Sequence, residues 1–238
     1  MKFDLSNIEL SYNDIRKNLT LPIKPSKELA EFIGILIGDG YIGYYEKYNN
    51  HILEISGHSE LDLNYLNIYV RDLIKNLFNI NSSYTSRKDQ NASRVRVCSK
   101  GLVQYLEQIN FVKGKKEQIR IPYWIISDRE LMIHFLKGIV DTDCSVHFRK
   151  KYPIINFTSK SKPLIATISD FIKKEGFIVG KFYKEERINK QRDNSSTVYR
   201  IFLNGHKNFN LWMNLINFRN EKHLKKIKVG QTGFEPVI

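Results

Sequence analysis

The sequence predicts an α+β fold built twice, as two halves that each run α-β-β-α-β-β-α. Three observations lead there. Two apolar helical segments, FIGILIGDG at 32–40 and LKGIVDTDC at 136–144, carry small residues four apart and end in an acid. Those acids, Asp39 and Asp143, lie 104 residues apart, so the repeat is domain-sized and not the roughly 20–50-residue unit of a solenoid. Behind each acid, stretches of period-two and helical patterning follow in the same order.

In the first half, Ser26 stands where an N-cap belongs, after the irregular LPIKP, and opens the first motif helix. Strand-like YIGYYEKY (41–48) and HILEIS (51–56) come next, then helical ELDLNYLNIYVRDLIKNLF (60–78). SSYTSRK (82–88) and SRVRVCS (93–99) read as strands, and KGLVQYLEQI (100–109) as a helix. Between the halves, RIPYWIISDRE holds Pro122 and then Ser127 with Glu130, a capping-box spacing that predicts the start of the second motif helix. The second half repeats the series with SVHFRKKY, PIINFTS, KPLIATISDFIKKEG, VGKFYKEER, STVYRIFL and NFNLWMNLI, the last ending at Ile216. The expected division is an N-terminal arm over 1–25, a first half over 26–122 and a second over 123–238.

Small residues four apart clear a stripe along which two helix backbones approach closely. Gly34 and Gly38 on one helix, and Gly138 and Thr142 on the other, are therefore the expected helix interface, with a pseudo-two-fold axis between them.

Composition bounds the function. In 238 residues, 42% are apolar and 12% aromatic, enough to fill a core. The cysteines are Cys98 and Cys144, and the charged start MKFDLSNIEL has no signal-peptide pattern, so thiols of a reducing, intracellular compartment are expected. The longest apolar run, FIGILIG, is far short of the roughly 18–20 residues of a membrane span. A net charge of +13 and a pI near 9.6 point to a polyanion.

The two acids sharpen this. A helix C-terminus repels a carboxylate by roughly 0.3–1 kcal/mol, and two carboxylates side by side raise one another's pKa unless a divalent cation lies between them. Few, hard oxygen ligands suit Mg²⁺ that keeps waters and binds substrate phosphates. That is a phosphodiesterase arrangement.

The two helices resemble the signature helices of single-chain LAGLIDADG homing endonucleases, and the flanking halves extend the resemblance from about residue 26 to nearly the whole chain. It implies two antiparallel sheets forming a DNA-binding saddle around the packed LAGLIDADG helices. It makes Asp39 and Asp143 the metal-binding catalytic acids, with Gly38 and Thr142 in the same metal group, and Mg²⁺, Mn²⁺ or Ca²⁺ as cofactor. His58 and Lys160 fall where the family places groups that organise active-site water; Lys115 (or its neighbour Lys116) and Lys222 fall where it places a lysine beside the scissile phosphate. The second copy departs in two places. Cys144 replaces the final glycine, which predicts a different exit from that helix because a glycine there lets the chain leave with positive φ. Asp141 adds an acid where the first copy has Ile37, and reads as a helix-end group.

Alternation sends Val95 and Val97 to the core and Arg94, Arg96 and Cys98 to the other face. A β-ribbon fits the major groove, where Arg bonds guanine bidentately. The expected reading residues are Tyr45, Lys47, Ser56, Arg87, Arg94 and Arg96 in the first half, and His147, Arg149, Lys151, Thr158, Lys181, Tyr183, Arg187 and Arg200 in the second. A roughly palindromic but asymmetric site on the order of 20 base pairs follows from the chain's size and pseudo-symmetry. The expected function is a monomeric, site-specific endonuclease of double-stranded DNA. An RNA-binding intron maturase and a DNA-binding protein without cleavage are the alternatives.

Overall fold

The computed structural model describes residues 1–48, 50–111, 114, 116–189 and 194–232. A short helix α1 (Tyr12–Arg16) precedes the first series: α2 (Lys27–Asp39), β1 (Gly40–Tyr45), β2 (Asn50–His58), a π-helical stretch Tyr65–Val70 running into α3 (Arg71–Phe78), β3 (Ser83–Arg87), β4 (Ala92–Cys98) and α4 (Lys100–Gln108). After α5 (Tyr123–Ile126) comes the second: α6 (Arg129–Asp143), β5 (Cys144–Arg149), β6 (Tyr152–Ser159), α7 (Lys162–Lys174), β7 (Tyr183–Asn189), β8 (Asn194–Asn204) and α8 (Gly205–Leu215), closed by α9 (Glu221–Thr232). Two four-stranded antiparallel sheets result, ordered β1-β2-β4-β3 and β5-β6-β8-β7. The fold is α+β, with the element order repeated.

The chain forms two compact units, Met1–Lys113 with Pro122–Thr142, and Gly114–Ile121 with Asp143–Ile238. The second motif helix thus packs with the first unit as far as Thr142, beyond the boundary that sequence order alone suggests. The glycine stripe explains this. A Cβ on Gly34 would fall 2.2 Å from the Phe135 carbonyl oxygen, and one on Gly138 would fall 2.0 Å from that of Glu31. Each glycine accepts a backbone carbonyl of the opposite helix where any side chain would collide. Gly38 faces Thr142 in the same way, with only 1.9 Å between its would-be Cβ and the threonine Oγ1.

The rest of the first unit is a conventional apolar layer. Leu53, Ile55, Val95 and Val97 fill the helix-facing side of its sheet, beside a Phe32–Phe78–Tyr105 ring cluster with centroids 5.2 and 6.0 Å apart. The N-terminal arm docks there through Asp14. Its carboxylate accepts from Ser11 N and Oγ and, at 3.0 Å, from Gly101 N at the start of α4. In the second unit, Trp212 is fully buried among Phe157, Phe177 and Phe218.

Ser26 caps α2 by accepting from Leu29 N at 3.1 Å. The start of α6 differs from the capping box expected of Ser127 and Glu130. Asp128 is the cap, accepting from Glu130 N at 2.8 Å and Leu131 N at 3.1 Å. Ser127 is taken up closing α5, where its hydroxyl donates to the Trp124 carbonyl. A carboxylate also suits the positive end of the helix dipole better than a hydroxyl does.

Three expected strand residues lie outside the strands. Lys47 falls in the 3₁₀ turn Glu46–Tyr48, Lys181 precedes β7, and Lys151 forms a two-residue hairpin loop with Lys150. Both loop lysines have left-handed backbone, φ 49° and 67°. Such a turn matches the twist of the flanking strands, so the hairpin closes at the Arg149–Tyr152 pair and shortens β5.

Replacing Gly34 or Gly138 with Ala should lower stability by about 1–3 kcal/mol, the usual cost of overpacking. Gly180→Ala, whose Cβ would meet nothing nearer than 3.4 Å, should change it little. Urea unfolding of the three variants checks this; equal stabilities would contradict the close backbone contact.

Candidate functional site

Asp39 and Asp143 are the final residues of α2 and α6, half-buried, and neither helix has a basic residue in its last turn. Each follows directly on the Gly38–Thr142 contact, and each is followed at once by a strand. Thr142 Oγ1 donates to the Ile139 carbonyl at 2.9 Å. The exit at Cys144 does not differ as expected. Gly40 leaves α2 with φ −89° and ψ 156°, and Cys144 also has no left-handed backbone. Glycine at 40 is a matter of space, because its Cβ would lie 2.4 Å from the Leu36 carbonyl oxygen. At 144 a side chain fits and is buried.

Behind the helix ends lies a buried polar cluster that sequence reasoning missed. The π-helical turn stacks Tyr65 on Tyr69 at 5.7 Å. Tyr69 donates its hydroxyl to Glu31 Oε1, and burial, then the charges of Asp141, Glu31 and Asp39, push the Tyr65 phenol well up. Tyr65 therefore stays protonated, and its hydroxyl has no hydrogen-bond partner among the described residues. Asp141 lies in the last turn of α6, as expected, and is only 1% exposed, so this helix-end group is part of the core. The sequence signal was faint: two tyrosines four apart, beside an acid inside an apolar run.

His134 Nδ1 lies 3.7 Å from Glu31 Oε2, beyond hydrogen-bond reach. Burial and the Lys137 charge lower its pKa against the pull of Glu31, so the imidazole is neutral at pH 7.

His58 ends β2, and its Nδ1 accepts from Glu60 N at 3.2 Å and Leu61 N at 3.3 Å. The ring proton thus sits on Nε2, the remaining donor. Lys160 follows β6 and pairs with Glu117 at 4.0 Å. Lys222 lies in the first turn of α9, where its N–H donates to Asn220 Oδ1 at 3.2 Å. Lys115 lies outside the described residues.

Register places the expected reading residues. Tyr45, Ser56, Arg87, Arg94 and Arg96 share the face of the first sheet opposite its helices. His147, Arg149, Thr158, Tyr183, Arg187 and Arg200 share one face of the second. Sequence reasoning overlooked a glutamate on each: Glu54 pairs with Arg96 and Arg94, and Glu185 with Arg200 and Arg187. Alternation along HILEISGH already puts Glu54 beside Ser56, but its partner needs the strand register. No helix among the described residues is long and apolar enough to cross a membrane.

Residues 130–217 match the model of a LAGLIDADG-like domain. In structure, the chain is similar to the homing endonuclease I-DmoI in complex with DNA and calcium, at a TM-score of 0.51 and 20% identity, covering 82% of this chain and 93% of that one. It is equally similar in fold to the N-terminal LAGLIDADG domain of DUF199/WhiA, with TM-score 0.51 and 11% identity over 91% of this chain and 90% of the other. Residues 130–217 are thus a LAGLIDADG-like domain, and the chain as a whole shares the fold of these structures. By sequence it is 27% identical to an uncharacterised protein of Methanocaldococcus jannaschii over 68% of its length. It is 24% identical to that organism's glutamine–fructose-6-phosphate aminotransferase over 92%, and 26% identical to its replication factor C small subunit over 85%. The chain spans 59%, 19% and 10% of these three relatives.

His134 supplies a test of the buried cluster. A depressed folded pKa means the unfolded chain binds more protons as pH falls below about 6.5. Stability should be full above that pH and drop between pH 7 and 5, and His134→Gln should drop less in urea unfolding. Identical slopes would contradict a neutral, desolvated imidazole.

Proposed function

We propose that this protein is a site-specific endonuclease of double-stranded DNA that uses a divalent cation, Mg²⁺ or Mn²⁺, held by Asp39 and Asp143. The observation that carries the proposal is the pair of matched helix ends. Each closes a glycine-lined contact, presents an acid that the helix dipole disfavours, and leads into a sheet with arginines on one face.

The donor set fits such a cation. Each carboxylate, with the backbone carbonyls of its own helix end, offers hard oxygens and leaves positions for water and phosphate. Among the described residues no group of three or more His, Cys, Asp or Glu forms a closed metal cage. When bound, the cation would neutralise charge developing at the scissile phosphate and lower the pKa of its water. The chain's own residues do the rest. The sheet faces hold the duplex, and Asp39 and Asp143 each serve one strand. The Nε2–H of His58 and the ammonium of Lys160 order water at the two strand ends, while Lys222 and its first-half counterpart Lys115 place positive charge beside the phosphate.

The relatives support a self-contained module. An aminotransferase and a replication factor have unrelated chemistry, yet this chain matches a segment of each that is only 19% and 10% of the whole. The shared segment is then not the part that makes either what it is.

Two outcomes are expected with duplexes selected for binding from a random pool. Affinity should fall steeply between 50 and 200 mM salt, as for a surface that neutralises many phosphates; a flat response would remove nucleic acid as the partner. With Mg²⁺, Asp39→Asn or Asp143→Asn should slow cleavage by orders of magnitude while binding survives, since metal stabilisation supplies several kcal/mol and each 1.36 is tenfold in rate. Cleavage by either variant at the unmodified rate would make the acids structural. Tight binding without cleavage by the unmodified chain would leave a DNA-binding protein.

A further inference from the structure

Each sheet carries, on its arginine face, one glutamate between two arginines. On the first, Glu54 of β2 stands directly opposite Arg96 of β4. Its Oε2 accepts from Arg96 Nε at 2.9 Å and Nη2 at 2.7 Å, while Arg94 Nη1 lies 3.4 Å from both carboxylate oxygens. On the second, Glu185 of β7 meets Arg187 Nε at 3.3 Å through one oxygen and Arg200 Nη2 of β8 at 3.0 Å through the other.

Duplication alone does not produce this match. Arg94 faces Ser56 and Arg200 faces Thr158, equivalent positions of the two sheets. The glutamate comes from β2 in one and from β7 in the other. The same three-charge group has been assembled twice from different strands.

A carboxylate is a poor choice on a face that only gathers phosphates, because it cancels a charge and competes for the donors. As a cross-strand staple it is a weak choice, since a half-buried ion pair gives back in lost solvation much of what the attraction supplies. Its geometry has another consequence. Glu54 grips Arg96 by the Nε side, and Nη1 of Arg96 has no hydrogen bond among the described residues. The end of the guanidinium is thus left open and fixed in orientation, with its rotamer freedom already lost before binding. Phosphate accepts from many directions and gains nothing from this. The O6/N7 edge of guanine takes two parallel donors at one geometry and gains most.

We propose that Glu54 is a positioning residue for specificity: it fixes Arg96 to read guanine in the major groove, at the expense of non-specific attraction. The inference rests on the DNA-binding reading above. Its test uses the full chain without divalent metal, comparing affinity for the best duplex selected from a random pool with that for unselected duplex. Glu54→Gln should bind unselected DNA as tightly as the unmodified chain or more tightly. Its preference for the selected duplex should fall about tenfold or more, and the fall should vanish in an Arg96→Ala background. Glu185 meets Arg200 through Nη2 alone, with the buried Nε left without a partner, so Glu185→Gln should lower the preference less; Glu54→Asp, which shortens the grip on Arg96, serves if the first variant does not fold. Lowered thermal stability with unchanged preference would make the glutamates staples and overturn the inference. A clean switch of preference at one cytosine would overturn it too, because the carboxylate would then be reading the base itself. If the unmodified chain binds no duplex, the DNA reading itself has failed.

Discussion

The approach of α2 to α6 is set by carbonyl oxygens. Phe135 and Glu31 each present one to a glycine of the facing helix, at a separation where even a methyl group would collide. Contact that close fixes rotation as well as distance, because only the glycine-bearing stripe of each helix admits it. The register of the two helix ends follows, and Gly38 meets Thr142 one residue before each acid. The first sheet then begins without a turn, so the start of β1 is tied to the same contact.

The same contact places a polar cluster where the core would otherwise be apolar. Glu31, whose backbone meets Gly138, directs its side chain to Tyr69, and the π-helical turn brings Tyr65 toward Asp141. A π turn inside a helix is rare and recurs at functional sites. Here it sets two phenols one above the other, behind the acid-bearing ends. Carboxylates are expensive to bury, and the hydroxyl that Tyr69 donates to Glu31 reduces that cost.

Much of this was legible in the sequence. The small-residue stripe, the domain-sized repeat and the alternation in SRVRVCS lead to the helix pair, the duplicated order and the two faces of β4. Four features were not, each for a physical reason. Ser127 and Asp128 are both good caps, and only the short α5 decides between them by engaging Ser127. Glycine after Asp39 suggested a left-handed exit, but in three dimensions it is clearance from Leu36 that requires it. Glu54 and Glu185 become partners of arginines through strand register, which alternation along a single strand does not contain. Lysines were the least legible, because a strand and the turn that ends it both tolerate them at the surface.

The central claim is that the two helix-end acids bind a divalent cation on DNA. It is tested most directly by Mn²⁺ binding, followed by electron paramagnetic resonance, on the full chain with a selected duplex. Bound Mn²⁺ should be present with the unmodified chain and sharply reduced in both Asp39→Asn and Asp143→Asn, with duplex binding retained. Mn²⁺ binding undiminished by the loss of either carboxylate would contradict the account.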